Sequence, residues 1–273
     1  MKSLSLIAGT FLLAGLSPLS AQTLFFQAGA VDFAEVSIVG TTVQRKSGQG
    51  RPIPLSAVVR VDFPEPEELT QADDLILKEK FGEALQKAKT VQDLHRNWKD
   101  KPGSWYPQAS LLVAESLLRQ NKYDESSRLM SELRNMSLAS SLQIRVTMLD
   151  ALEQYLKGIT GPALAKVKPL TKGAQDADTL ARLYLLIGDI QFKRQAFEEA
   201  LEAYLQIPVF YGAEAAFLPA ADLGAAKSLV RLSRLQDATD SFTRIIERYA
   251  GTPEADAAKA EKAAVAKLTG KDP

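Results

Sequence analysis

The residues that could support catalysis are few and poorly arranged for it. Histidine occurs once, as His95, and cysteine not at all. A Ser-His-Asp relay would need that one histidine, and a histidine-based zinc site would need several. Without cysteine there is no thiol nucleophile, thiolate metal site, disulfide or lipid attachment at an N-terminal cysteine. His95 falls near the end of an expected helix, where the helix dipole already accounts for a basic side chain. No Gly-rich phosphate loop, Walker signature or dinucleotide fingerprint occurs, and the glycines are scattered as turn residues. Glu67 and Glu68, with Asp73 and Asp74, form an acidic cluster that could attract a cation. Behind Pro64 and Pro66, helix-start electrostatics explains them more simply. Glu198 and Glu199 are adjacent, so on a helix they diverge by roughly 100° and do not share a face. The expectation is a protein that is not an enzyme and that holds no cofactor or metal.

The elements that would position these residues follow a repeat. Phe81-Gly82-Glu83-Ala84-Leu85 and Phe197-Glu198-Glu199-Ala200-Leu201 are one phrase written twice. Tyr123-Asp124-Glu125-Ser126, Leu235-Gln236-Asp237-Ala238 and Thr160-Gly161-Pro162-Ala163-Leu164 are weaker copies. The small residues Ala84, Ser126, Ala163, Ala200 and Ala238 stand 42, 37, 37 and 38 residues apart. Twelve residues before each stands another small one: Ala72, Ala114, Ala151, Gly188 and Ala226. Seven residues after each stands an aliphatic one: Val91, Leu133, Leu170, Ile207 and Ile245. A fixed period in this range means stacked supersecondary units. Two helices cross closely only where side chains are small, so each pair marks a helical hairpin. The expected helices are 68–79 with 81–96, 107–120 with 123–136, 139–157 with 162–172, and 177–194 with 197–206, ending at Pro208. A fifth pair runs from Pro219 to near Tyr249.

This pattern resembles the tetratricopeptide-repeat family: a small residue in the first helix, aromatic-x-Glu-Ala opening the second, and an aliphatic residue seven further on. The resemblance covers roughly residues 66–268. It departs in period, about 34 being usual, and Thr160 stands where the aromatic belongs. It implies a partner groove lined by the first helix of each hairpin, three before, one after and four after its small residue. The first row is then Leu69, Leu111, Met148, Leu185 and Leu223. The second is Asp73, Glu115, Leu152, Asp189 and Lys227, and the third is Ile76, Leu118, Tyr155, Phe192 and Val230. The residues carried forward as partner-binding are Leu111, Glu115, Met148, Leu152, Tyr155, Leu185, Asp189 and Phe192. Such a groove, apolar with an acidic seam, suits an amphipathic helix or an extended apolar peptide with a basic residue. The alternative is that both apolar rows are core between repeats.

Outside the repeats the chain changes character. Residues 1–21 read as an export signal: Lys2, an apolar run over 4–16, Pro18, and a small residue at Ala21 before Gln22. A run of thirteen residues falls short of the roughly 20 that span a bilayer, so no integral membrane segment is expected once the signal is removed. Residues 22–64 read as a small β-meander of three or four strands. Val31-Asp32-Phe33-Ala34-Glu35-Val36-Ser37-Ile38 alternates as one half-buried strand; residues 41–45 and 58–63 follow, with a turn at 47–50. The module is expected either to cap the repeats or to dock elsewhere, possible self-association included. The long loop 97–107 carries Trp98, Trp105 and Tyr106, either as a binding rim or as a staple between repeats. Thr252-Pro253 opens a last helix near 253–268, whose Lys259, Lys262 and Lys267 read as a solvated face.

The chain has 33 basic and 33 acidic residues, so no net positive field favours nucleic acid. The expected fold is mainly α: a tetratricopeptide-like α-solenoid of about five hairpins over 65–273, with a C-terminal capping helix, preceded by the β module. The expected role is an exported, non-enzymatic scaffold, periplasmic or secreted in a bacterial envelope, that binds a protein or peptide partner in its groove. The alternative is a structural subunit of an envelope or outer-membrane assembly complex.

Overall fold

The computed structural model describes residues 22–268 and 270, apart from 28 and 49. The expected signal sequence lies outside the described residues. The chain forms two compact units. One comprises residues up to Pro64 together with Lys101–Ser104, and the other Glu65–Asp100 together with Trp105 onward.

The first unit is two three-stranded antiparallel sheets. β1 (Thr23–Phe26) lies between β2 (Gly29–Asp32) and β6 (Val58–Asp62); β4 (Thr42–Arg45) lies between β3 (Val36–Val39) and β5 (Ile53–Pro54). This is more than a meander, because β1 pairs with the strand furthest from it in sequence. Nor is 31–38 a single strand. The Asp32 carboxylate accepts the Ala34 N–H at 2.8 Å and turns Phe33–Glu35 into one 3-10 turn, which hands the chain from one sheet to the other. Leu24, Val36, Val43, Val58 and Val61 are buried, and Phe33 meets Phe63 edge to face. Four residues from far along the chain complete the unit. The Val61 N–H donates to the Pro102 carbonyl at 2.9 Å. Gly103 (φ +84°) passes so close to Val61 that a Cβ there would lie 1.8 Å from its carbonyl oxygen. Only glycine fits that approach.

The second unit is a mainly α array. Its hairpins pair α1 (Glu67–Leu77) with α2 (Phe81–His95), α3 (Tyr106–Arg119) with α4 (Tyr123–Arg134), and α5 (Ser140–Leu156) with α6 (Thr160–Val167). Then come α7 (Ala177–Lys193) with α8 (Phe197–Phe210) and α9 (Leu218–Arg231) with α10 (Leu235–Arg248); α11 (Pro253–Leu268) closes the described array. All ten small residues of the repeat pattern are buried. Ser126 shows why a hydroxyl can replace Ala at such a crossing: it donates to the Ala114 carbonyl of the facing helix at 2.9 Å. Val91, Leu133, Ile207 and Ile245 are buried as well. Leu170 is half-buried, because α6 stops at Val167 and Pro169 continues as a 3-10 turn. At α8 the difference is opposite. The helix runs through Pro208 to Phe210, a proline in the last turn removing one hydrogen bond without ending it.

Each hairpin turn closes identically. Glu79, Asn121, Gly158, Gln195 and Ser233 all take the left-handed conformation, with φ between 57° and 82°. The N–H of the residue after each reaches back to the carbonyls of Leu75, Leu117, Gln154, Gln191 and Leu229, at 2.8–3.0 Å. This Schellman closure satisfies carbonyls at the end of the first helix and reverses the chain. α3 is the most enclosed helix: every residue from Ala109 to Leu118 is buried. α10 is the clearest amphipathic one, with Ala238, Phe242 and Ile245 inward and Asp237, Asp240, Arg244 and Glu247 outward. α11 begins as expected, Thr252 Oγ1 accepting the Ala255 N–H at 3.2 Å with Pro253 at its first position.

The aromatic loop is a staple: Trp98 and Tyr106 are buried and Trp105 half-buried. It also explains His95. That imidazole is buried, its Nδ1 accepts the Trp105 N–H at 3.3 Å, and burial lowers its pKa. His95 is therefore a neutral structural acceptor, not the cation that the helix dipole would favour.

Candidate partner-binding site

A pocket of about 360 Å³ lies where the first helices of all five hairpins converge. Ile76 comes from α1, Glu115 from α3, Met148 and Leu152 from α5, Leu185 and Asp189 from α7, and Leu223 and Lys227 from α9. The array must curl tightly for α1 and α9 to share a wall, and an ion cluster around the buried Arg182 bridges α1 and α7 there. Arg182 of α7 hydrogen-bonds Asp73 of α1 and reaches Asp178 at 2.8 Å; its guanidinium stacks 4.9 Å from the Phe217 ring. Arg145 lies 3.9 Å from the same Asp73. Burial works against the Arg182 charge, but Asp73 and Asp178 outweigh it and raise its pKa. Burial likewise pushes the Asp73 carboxyl up, against the pull of Arg182 and Arg145. Asp73 is thus not part of a helix-start cluster with Glu67 and Glu68; it is a clasp to a residue 109 positions on.

Beside this pocket is a second, of about 370 Å³, lined by Tyr155, Phe192, Phe197 and Arg231. Asp189, Phe192 and Tyr204 face both. Tyr204 is the partition. Its hydroxyl donates to Asp189 Oδ1 at 2.7 Å. Its ring is held between two glycines: a Cβ on Gly188 or on Gly224 would come within 2.5 Å of it. Gly188 therefore admits Tyr204 itself, one turn beyond the Ala200 crossing that the repeat pattern marks. Burial pushes the Asp189 carboxyl up, against its Tyr204 hydrogen bond and the pull of Arg119 and Lys227. Burial also pushes the Tyr155 phenol up to about 12.

Of the eight residues carried forward, Glu115, Met148, Leu152, Leu185, Asp189 and Phe192 line the first pocket and Tyr155 the second. Leu111 does not join them; at 1% exposure it belongs to the core between α3 and α5. The two apolar rows split along the array. Leu69, Leu111, Met148, Ile76 and Leu118 are buried, whereas Leu185, Leu223, Tyr155, Phe192 and Val230 are half-buried. The middle row is a free acidic seam only in part, at Asp189. Asp73 is paired to arginines, Glu115 lies 3.7 Å from Arg119, and Lys227 lies 3.7 Å from Glu261. Among the lining residues that the repeat pattern did not flag are Arg119, Arg182, Tyr204, Phe217 and Gly224. The first pocket falls within the roughly 300–1,000 Å³ of small-ligand sites. It admits a side chain or small molecule, not a helix 10–12 Å across.

Among the described residues no helix is long and apolar enough to cross a membrane, and no group of three or more His, Asp or Glu is placed to hold a metal ion. Compared with family models and with curated proteins, the chain matches none.

Proposed function

We propose that this protein is an exported, non-enzymatic scaffold of tetratricopeptide type, holding a peptide or protein partner on the face formed by its first helices. The observation that carries this reading is the convergence of all five first helices on one half-apolar pocket. Export is supported by the apolar run over 4–16 and by the absence of cysteine. A second reading, a structural subunit of an envelope assembly, draws on a different surface. Leu205, Val209 and Phe210 of α8 are 42%, 66% and 67% exposed, an apolar patch suited to a permanent neighbour.

Phe192→Ala separates the two readings. Phe192 is half-buried and meets Phe197 edge to face at 5.3 Å. Its removal should cost about 1–2 kcal/mol of stability, less than a fully buried Phe. In affinity capture from envelope extract, the variant should lose the partner that the wild type retains. Unchanged capture of one stoichiometric protein would favour the subunit reading.

A further inference from the structure

The polar groups around the first pocket are unevenly satisfied. Each cation there has a carboxylate of its own: Arg182 has Asp73 and Asp178, Arg119 has Glu115, and Lys227 has Glu261. Three lining carboxylates are left over. Glu79 and Glu254 make no ion pair among the described residues, and Asp189 is bonded only to a neutral phenol, so one of its oxygens accepts nothing. Glu115 adds a fourth acceptor that is poorly used. Its side chain is only 7% exposed, and its one ion-pair partner lies 3.7 Å away, beyond hydrogen-bond length. One donor is idle as well: Arg119 Nε is buried without a partner. Carboxylates set among apolar side chains are normally paired, so the underused oxygens of Glu115 and Asp189 invite a donor; Glu79 is exposed to solvent, and Arg119 Nε is too enclosed for a ligand to reach. The remaining wall is largely aliphatic and aromatic and includes Met148, Leu152, Leu185 and Phe192.

We propose that this pocket binds a primary alkylammonium group, with an aliphatic stem along the apolar wall and the ammonium on Asp189 and Glu115. The inference deepens the scaffold reading and rests on it for one of two sources of that group, a lysine side chain of the partner peptide; the other is a free amine. A lysine residue supplies both the stem and the ammonium. Asp189 is the specificity residue. Its burial in an apolar wall disfavours its charge, and an incoming cation relieves that cost.

Calorimetric titration of the full protein tests this with four probes: n-hexylammonium, hexanoate, acetyl-Ala-Leu-Lys-Leu-Ala-amide and its norleucine analogue. The lysine peptide should bind at least about tenfold more tightly than the norleucine peptide, the size expected of one charge-assisted hydrogen bond. Hexylammonium should bind and hexanoate should not. Asp189→Asn, which keeps an acceptor for Tyr204 and should fold, should abolish the preference. A lysine peptide stronger than hexylammonium assigns a peptide source; the reverse assigns a free amine. Equal binding of hexanoate, no preference for lysine, or a preference that survives Asp189→Asn would overturn the proposal. Envelope capture of a partner alongside such a failure would leave the scaffold reading standing. Asp189-dependent amine binding with no partner captured would sink the scaffold reading and keep the site.

Discussion

Gly188→Leu should destabilise the protein by about 3 kcal/mol or more in chemical denaturation. Overpacking a core ordinarily costs about 1–3 kcal/mol, where neighbours can shift. Here the neighbour is the Tyr204 ring, and it has nowhere to go. A Cβ at Gly188 already falls 2.5 Å from Cε1, and the ring's retreat is blocked by Gly224 of α9, equally close to Cζ. The Tyr204 hydroxyl is also tied to Asp189. Gly82 of α2 provides a matched control. It is helical too, but a Cβ there meets nothing within 4 Å. The same change to Leu at Gly82 should be neutral or stabilising by up to about 1 kcal/mol, since a glycine inside a helix is unfavourable. Similar losses at both sites would refute the Tyr204 sandwich. Adding Tyr204→Ala to Gly188→Leu should recover part of the loss, because residues in contact are not additive.

Arg182→Met is the second large effect, an expected loss of about 3 kcal/mol. Removing one partner of a buried ion pair typically costs about 3–5 kcal/mol, because the other charge is stranded. Asp73 keeps Arg145 and is 27% exposed, which places the expectation at the low end. The double variant Asp73→Asn/Arg182→Met should lose markedly less than the sum of the single losses. The damage should also be local before it is global. With the clasp gone, amide exchange in α1 should accelerate more than in α10, which makes no ion pair to the cluster. Uniform acceleration would place the clasp's contribution elsewhere.

These two expectations differ in how far the sequence could have led to them. The hairpin crossings were legible because a close helix contact demands a small side chain, and Ala72, Ala114, Ala151, Gly188 and Ala226 recur in step with their partners. The turns were not. Four of the five left-handed positions are Glu79, Asn121, Gln195 and Ser233 rather than glycine, so the helix crossing imposes a conformation that the residue type does not announce. The clasp was invisible for another reason. Asp73 and Arg182 stand 109 residues apart, and only the accumulated curl of the array brings them together. The same curl decides which row positions face a pocket. Leu111 and Leu185 occupy equivalent places in their repeats, yet α3 is enclosed by neighbours and α7 is not. In the β unit, Asp32 looked like one step in an alternating strand. Its side chain instead bonds the backbone two residues on, a local competition that alternation alone cannot register.

The proposed function has partners meeting the face where the first helices converge, and site-specific photo-crosslinking distinguishes that face from the outer surface of α8. A photoreactive residue placed at Glu79, exposed on the lining of the first pocket, is compared with one at Val209, exposed on α8. In envelope extract, a covalent adduct with the partner is expected from position 79 and none from position 209. An adduct from 209 alone would contradict it and make the outer apolar patch the working surface.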